Sequence, residues 1–392
     1  MRYRKFQADY LFDGKSLLSE SHVLITNTNG EVIDIVKRET VGEDVITLKG
    51  IISPGFINAH CHLELSHLKN VIPEKTGLID FVFKVVSQRH FAEEEILNAI
   101  ENAENEMLKN GIIAVGDICN NPSTLFQKIK KKIRYYNFIE TSGWSPQIAN
   151  VRFEKSTVFY NEFIKNDLKT SIVPHAPYSV SENLWEKLVP LFPGKVITIH
   201  SQETADEDLF FLEGKGNFTK MYEMMNIDNS FYEAPKTRSV ASYFNKLSPA
   251  ASVILVHNTF TKQKDIDFIN EHKNQEQLVS FCLCPNANLY IENTLPPADL
   301  LLKNNCHIVL GTDSLASNHQ LNILEEIKTI VKKFPKIKTE TLLKWATING
   351  ARALKMDKDL GSFEKGKKPG IILIEHTDGP KIKDNSKIKR LI

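Results

Sequence analysis

The sequence predicts an α/β fold, a (β/α)8 TIM barrel with β structure at both chain ends. Three observations predict it. Short apolar strand-like runs alternate with helical patterns through the middle of the chain, which favours a parallel sheet. Eight such runs fall within about 300 residues, a length that suits a (β/α)8 barrel. The residues best suited to chemistry sit at the C-terminal ends of those runs, where barrel enzymes assemble their sites. A doubly wound open sheet is the second reading, and periodicity alone does not separate the two.

The elements follow in order. The first ~50 residues read as short strands joined by turns, with Asn27-Thr-Asn-Gly30 as a turn signal between two alternating stretches. Buried-type strands are expected over 51–57, 111–118, 133–140, 170–174, 195–200, 251–257, 277–284 and 306–313. A helix is expected over 91–110, where Ile96, Ile100, Ala103 and Met107 recur at helical spacing. Further helices are expected over 322–334 and 339–354. The stretch from Glu203 to Ala251 is longer than a simple crossover needs, so a lid or binding loop with a short helix or two is expected there. Its aromatics, between Phe210 and Tyr232, are candidates for stacking on a base. The end of the chain returns to β character over 361–374, and the lysine-rich run 381–390 reads as a solvated tail or last strand.

Composition narrows the function classes. The 392 residues carry 42% hydrophobic and 25% charged residues with a formal charge of +1, which is ordinary for a globular protein. A near-neutral chain has no electrostatic footprint for nucleic acid or an anionic membrane. No apolar run approaches the ~20 residues that span a bilayer, and the first residues lack the pattern of a signal peptide. Cys61, Cys119, Cys282, Cys284 and Cys306 are an odd set, most of them inside apolar runs, so reduced thiols and a cytoplasmic location are expected. Cys282 and Cys284 read as small strand residues rather than metal ligands.

The chemistry starts from His60-Cys61-His62. On an extended segment residues two apart point the same way, so both imidazoles reach one ion. Alone, the pair is equally well a structural one. With His200 and Asp313 it becomes a shell of three imidazoles and one carboxylate, suited to zinc, or to iron or manganese. Such a shell keeps a position for water and lowers its pKa toward ~7. Glu203, three residues past His200, is placed to move protons if the chain enters a helix there, with a capping glutamate as the plain alternative. His257 is a candidate to hold the attacking water and His175 to bind substrate or support the shell, each against the alternative of a core histidine.

These residues resemble a family. Pro54-Gly-Phe-Ile-Asn-Ala-His60-Cys-His62, Pro174-His-Ala-Pro-Tyr-Ser179, His200-Ser-Gln-Glu-Thr204, Cys284-Pro-Asn-Ala-Asn288 and Leu310-Gly-Thr-Asp-Ser-Leu-Ala-Ser-Asn318 look like the amidohydrolase superfamily. More narrowly they resemble its branch of chlorohydrolases and nucleoside or guanine-type deaminases. Ala346-Thr-Ile-Asn-Gly-Ala-Arg-Ala-Leu354 and Gly361-Ser-Phe-Glu-Lys-Gly366 continue the match in order. Lys368-Pro-Gly370 departs from it, where the family usually has Ala-Asp.

The resemblance implies a barrel over 52–358 and a small β-sandwich built from 1–51 and 359–392. It implies one divalent metal held by His60, His62, His200 and Asp313. Members with two metals use a carbamylated lysine ending strand four, where this chain has Ile172-Val-Pro-His175 and no lysine. It implies a proton shuttle at Glu203, a water-steadying role for His257 and a substrate contact for His175, with Asp313 also passing a proton to the departing ammonia. The phrase around Asn58–Ser66 is similar to aminodeoxyfutalosine deaminases, with adenosylhomocysteine and methylthioadenosine deaminases as close competitors. Glu64 and Ser66 are then candidate substrate contacts, with an ion pair at the barrel rim as the alternative for Glu64. The expected reaction is deamination of an adenosine-type nucleoside. Amide hydrolysis of the imidazolone type and deamination of a free base such as guanine are the alternatives. The expected partner is a small-molecule substrate, with a homodimer as the one assembly considered.

Overall fold

The structure, a computed structural model, describes residues 3–392. The middle of the chain alternates strands and helices, as expected. It forms two four-stranded parallel sheets. The first runs Phe56–Cys61, Ile112–Cys119, Arg134–Thr141, Thr170–Pro174 in spatial order, and the second Val196–Ser201, Ser252–His257, Leu278–Leu283, His307–Leu310. The sheets meet at two seams. His200 N donates to His175 O at 2.9 Å, and Thr312 N and Asp313 N both donate to His60 O at 3.1 Å. Cys61 and Asp313 pair as an isolated parallel bridge. The core lies between these strands and their helices, with Val115, Phe138, Ile197, Leu255 and Val309 all fully buried.

Helices form where apolar residues recur on one face. In Glu93–Lys109 the buried residues Ile100, Ala103, Glu104 and Met107 make one stripe, while Glu93, Glu94 and Glu95 face the positive end of the helix dipole. The expected helix over 339–354 is two, Thr339–Ala346 and Ile348–Ala353. Thr347 breaks it at φ −132°, ψ −93°, and Gly350 lets the second piece abut the first parallel strand, since a Cβ there would meet Ile57 at 2.8 Å.

The expected strand over 51–57 is likewise two elements. Ile51–Pro54 pairs with Ile371–Glu375 and Tyr10–Phe12, whereas Phe56–Cys61 opens the parallel sheet. Gly55 makes the handover, because a side chain there would collide with Ile113 at 2.6 Å. The chain ends form two further sheets. One holds Val32–Lys37, His22–Asn27, Tyr3–Gln7 and Ile46–Thr47; the other joins Lys387–Arg390 and Ile371–Glu375 to Ile51–Pro54, Tyr10–Phe12 and Leu17–Ser19. Phe6, Leu24 and Val32 of the first pack with Leu11, Ile52, Ile371 and Leu373 of the second. The lysine-rich run thus supplies a last strand.

The long stretch after Glu203 folds as Ala205–Glu213, Asn217–Met224 and Ser239–Tyr243. Its aromatics pack on one another and on Trp144: Phe210 stacks on Tyr232 at 4.3 Å, and Tyr222 on Trp144 at 5.4 Å. Phe210, Phe211 and Tyr222 are buried, while Phe231 is exposed. Phe218 lies 4.1 Å from Tyr178, just beyond His175, so the excursion covers the strand-end face. Among the described residues no helix is long and apolar enough to cross a membrane.

Candidate metal centre and its carboxylates

The residues expected at strand ends converge. His60 lies within the first parallel strand rather than after it, and His62 is the residue past its end. Their ring centroids are 4.9 Å apart, and His200 lies 5.0 Å from His60 and 5.4 Å from His62. Asp313 comes three residues after the eighth strand, in the left-handed region at φ 58°. Its Oδ1 is 3.4 Å from both His60 Nε2 and His62 Nε2. Gln202 (φ 50°) and His257 (φ 75°) share that sparsely populated backbone region, which concentrates strain at the site.

This donor set fits a cation. One ligand atom each from His60, His62 and His200 lie within 4.8 Å of one another, as do those of His60, His257 and Asp313. Both ring nitrogens of His60, Nδ1 of His62 and Nε2 of His200 are buried without a hydrogen-bond partner among the described residues. Buried polar atoms are rarely left so, and a cluster in which each of three histidines offers one nitrogen is the pattern a divalent ion satisfies.

Glu203 does not sit on a helix, as the spacing suggested. It precedes the helix Ala205–Glu213, on a bend behind the left-handed Gln202. The result is close to the expectation nonetheless: Oε1 is 3.5 Å from His257 Nε2, and Oε2 is 3.9 Å from His200 Nδ1. His257 Nε2 also lies 3.1 Å from His200 Nδ1. Burial raises the Glu203 carboxyl to about 8, against the lowering influence of His200. Burial holds His62 and His175 down at about 4, so both imidazoles are neutral near pH 7, the form that binds metal. Burial would lower His200 too, but its contact with Glu140 outweighs this and lifts it to about 9. A bound cation would reverse that balance.

The remaining expected residues lie around this centre. His175 is half-buried, with Nδ1 2.7 Å from Ser179 Oγ, and its centroid is 4.9 Å from His200. Glu64 is buried, and both carboxylate oxygens accept from Asn120 N, at 3.1 and 3.0 Å. Burial raises it to about 8. Ser66 Oγ donates to Leu63 O at 2.7 Å, so its hydroxyl proton is committed locally.

Sequence reasoning passed over several supporting groups. Glu140, one residue before the end of the third parallel strand, has Oε1 3.3 Å from His200 Nε2 and Oε2 accepting from Asn120 Nδ2 at 3.0 Å. Its signal was available, since it closes an expected strand as the histidines do. Asn288 Nδ2 lies 3.3 Å from His257 Nδ1, and Ser317 Oγ donates to Asp313 Oδ2; both sit inside the quoted motifs. Asp117 Oδ1 accepts from Leu63 N at 2.8 Å, directly after His62, while its Oδ2 pairs with the buried Lys128 ammonium at 2.5 Å. No local pattern marks that pair, because its partners are 11 residues apart and meet only through the fold.

Known proteins resemble this chain over most of its length. It is 27% identical over 365 residues to a 5-methylthioadenosine/S-adenosylhomocysteine deaminase of Caldanaerobacter subterraneus, covering 88% of this chain and 77% of that protein. It is 24% identical over 326 residues to an aminodeoxyfutalosine deaminase of Nitratiruptor, covering 81% and 75%. In structure it is similar to Helicobacter pylori aminofutalosine deaminase in complex with methylthio-coformycin, with a TM-score of 0.78, 20% identity and coverage of 97% and 93%. An adenosine deaminase of Xanthomonas campestris with bound zinc has the same fold, with a TM-score of 0.70, 21% identity and coverage of 95% and 84%. Residues 51–391 match the amidohydrolase family, and the chain therefore belongs to that family.

Proposed function

We propose that this protein is a mononuclear metal-dependent aminohydrolase that removes the amino group of an adenosine-type nucleoside. One observation carries the reading. A buried carboxylate, Glu203, faces His200 and His257 beside four unpartnered imidazole nitrogens. A metal-binding module needs no such proton carrier, whereas deamination needs a proton delivered to the ring and another to the leaving ammonia. Relatives named for methylthioadenosine, adenosylhomocysteine and aminodeoxyfutalosine support the substrate class.

In this reading His60, His62, His200 and Asp313 hold the ion, with zinc the favoured species. When bound there, it supplies the Lewis acidity that makes water nucleophilic near neutral pH. The chain's own groups do the rest. Glu203, a buried carboxyl facing His200 and His257, delivers a proton to a ring nitrogen. His257 orients the water, and Asp313 passes a proton to the departing ammonia. His175, Glu64 and Ser66 line the substrate side, and Asn120 ties Glu64 to Glu140 there. The fold we propose for this work is one closed eight-stranded barrel over 52–358, supported by the backbone hydrogen bonds at both seams. The two terminal sheets, with their shared apolar cluster, are read as a β-sandwich.

The test uses Glu203→Gln. Loss of ~10²–10⁴-fold in turnover with metal content unchanged is expected, the range that a positioned proton-transfer group supplies. Ammonia release is measured over aminodeoxyfutalosine, methylthioadenosine, adenosylhomocysteine and guanine. Near-wild-type turnover in the variant removes Glu203 from the mechanism. Ring opening without ammonia overturns the deaminase reading in favour of amide hydrolysis.

A further inference from the structure

A second site lies at the opposite end of the parallel strands. A cavity of about 210 Å³ opens between the terminal sheets and the start of the third parallel strand. Its lining includes Lys131, Lys132, Arg134, Lys368 and Arg390, and no Asp or Glu. The chain as a whole is balanced, with 49 basic and 48 acidic residues, so this segregation of one sign into one concavity is local. Lys131 and Lys132 precede the strand Arg134–Thr141, which Arg134 opens; Arg390 ends the last strand, and Lys368 lies just ahead of Ile371–Glu375. Only the fold brings them together.

The cations are weakly compensated. Lys131 reaches Asp167 at 3.8 Å, Lys132 reaches Glu101 at 3.9 Å, and Lys368 reaches Glu31 at 3.8 Å. Arg134 meets Asp359 at 3.3 Å. These are exposed single pairs, which hold their partners only weakly, and none of the acids lines the cavity. Arg390 has no Asp or Glu carboxylate within salt-bridge distance among the described residues. Five cations gathered around one concavity repel one another, and a multiply charged anion relieves that repulsion. Two guanidinium forks among them match the paired oxygens of a phosphoryl group.

We propose that this cavity binds a small anion of the phosphate class, with inorganic diphosphate as the probe. The concave shape and modest volume favour a compact anion over a nucleic-acid strand, which tracks an extended groove. Arg134 and Glu140 bracket the same strand, so the anion sits ~20 Å from the metal centre by strand rise. Binding is therefore independent of the deaminase reading and is measured without turnover.

The experiment is calorimetric titration of the full chain with inorganic diphosphate at fixed ionic strength, with chloride as the control. One saturable site per chain is expected. In the Lys131→Ala/Arg390→Ala variant, affinity should fall at least tenfold while the unliganded thermal midpoint and metal content stay at wild-type values. Should that variant be unstable, Lys132→Ala/Lys368→Ala provides the same comparison from two of the other three cations. Absence of a saturable diphosphate signal, or equal affinity in the variants, overturns the proposal. Saturable binding of a single-stranded oligonucleotide with none of diphosphate overturns it as well, in favour of a polyanion surface.

Discussion

Burial acts on every carboxyl around this centre, and the neighbours decide which way each one goes. Asp313 is pushed up by burial but held well below the carboxylate range by His60, His62 and His257. Glu207 has no such company. Its Oε1 accepts from Gln202 N at 3.0 Å and from the Ser239 hydroxyl, and its Oε2 has no partner among the described residues. Burial outweighs those hydrogen bonds and lifts it from 4.5 to about 8. The folded protein therefore holds a proton on Glu207 that the unfolded chain releases between those values. Stability from this group is full below about pH 4.5 and falls as pH rises toward 8. Glu207→Gln keeps the Oε1 acceptor and removes the titration. Denaturant unfolding from pH 5 to 8.5 should show wild type losing stability relative to the variant by on the order of 1 kcal/mol per pH unit. Parallel curves would show that Glu207 is ionised in the folded state.

At the scale of elements, the site depends on how closely strand ends approach. Gly311, between the eighth strand and Asp313, is one such close approach. A Cβ there would lie 2.9 Å from His60 Cβ and Cys282 Sγ, and 3.0 Å from Cys284 Sγ. Cys282 and Cys284 are thus small residues that let two strand ends meet, as their C-x-C spacing on a strand suggests. In Gly311→Ala His60 must shift, so metal content by elemental analysis should fall, together with a stability loss of ~1–3 kcal/mol. Wild-type metal content would show that the approach is slack. The strand ends themselves were legible in the sequence because a short continuous apolar run followed by histidine is a local signal. Glu140 shared that signal, and only its lack of a histidine neighbour hid it. The breaks at Gly55 and Thr347 were not legible, because each is set by a partner far along the chain: Ile113 for Gly55 and Ile57 behind Gly350. Glu203 was legible in role but not in backbone, since the left-handed turn at Gln202 replaces the expected helix.

For the whole molecule, the question is what holds the first parallel strand to the last, because the metal centre spans that junction. Asn58 answers it. It is fully buried, donates from Nδ2 to Thr312 Oγ1 at 2.7 Å and accepts from Thr312 N at 3.0 Å. Asn318 extends the lock, donating to Thr312 O and Glu326 Oε1, both at 2.9 Å. His60 lies two residues past Asn58 and Asp313 one past Thr312, so the same lock sets the spacing of two proposed ligands. Asn58→Ala removes two buried hydrogen bonds, worth ~0.5–1.5 kcal/mol each, while Thr312 N keeps His60 O and Thr312 Oγ1 keeps Asp313 O as partners, both at 3.1 Å. We expect a loss of ~1–3 kcal/mol by urea unfolding of the metal-free protein. A second readout separates a lock from a mere core contact. A ligand that binds only the folded state stabilises it according to its affinity. If Asn58 sets the ligand spacing, the zinc-induced rise in unfolding midpoint should be smaller in Asn58→Ala than in wild type. An equal rise in both would make Asn58 a stabilising contact with no part in arranging the centre.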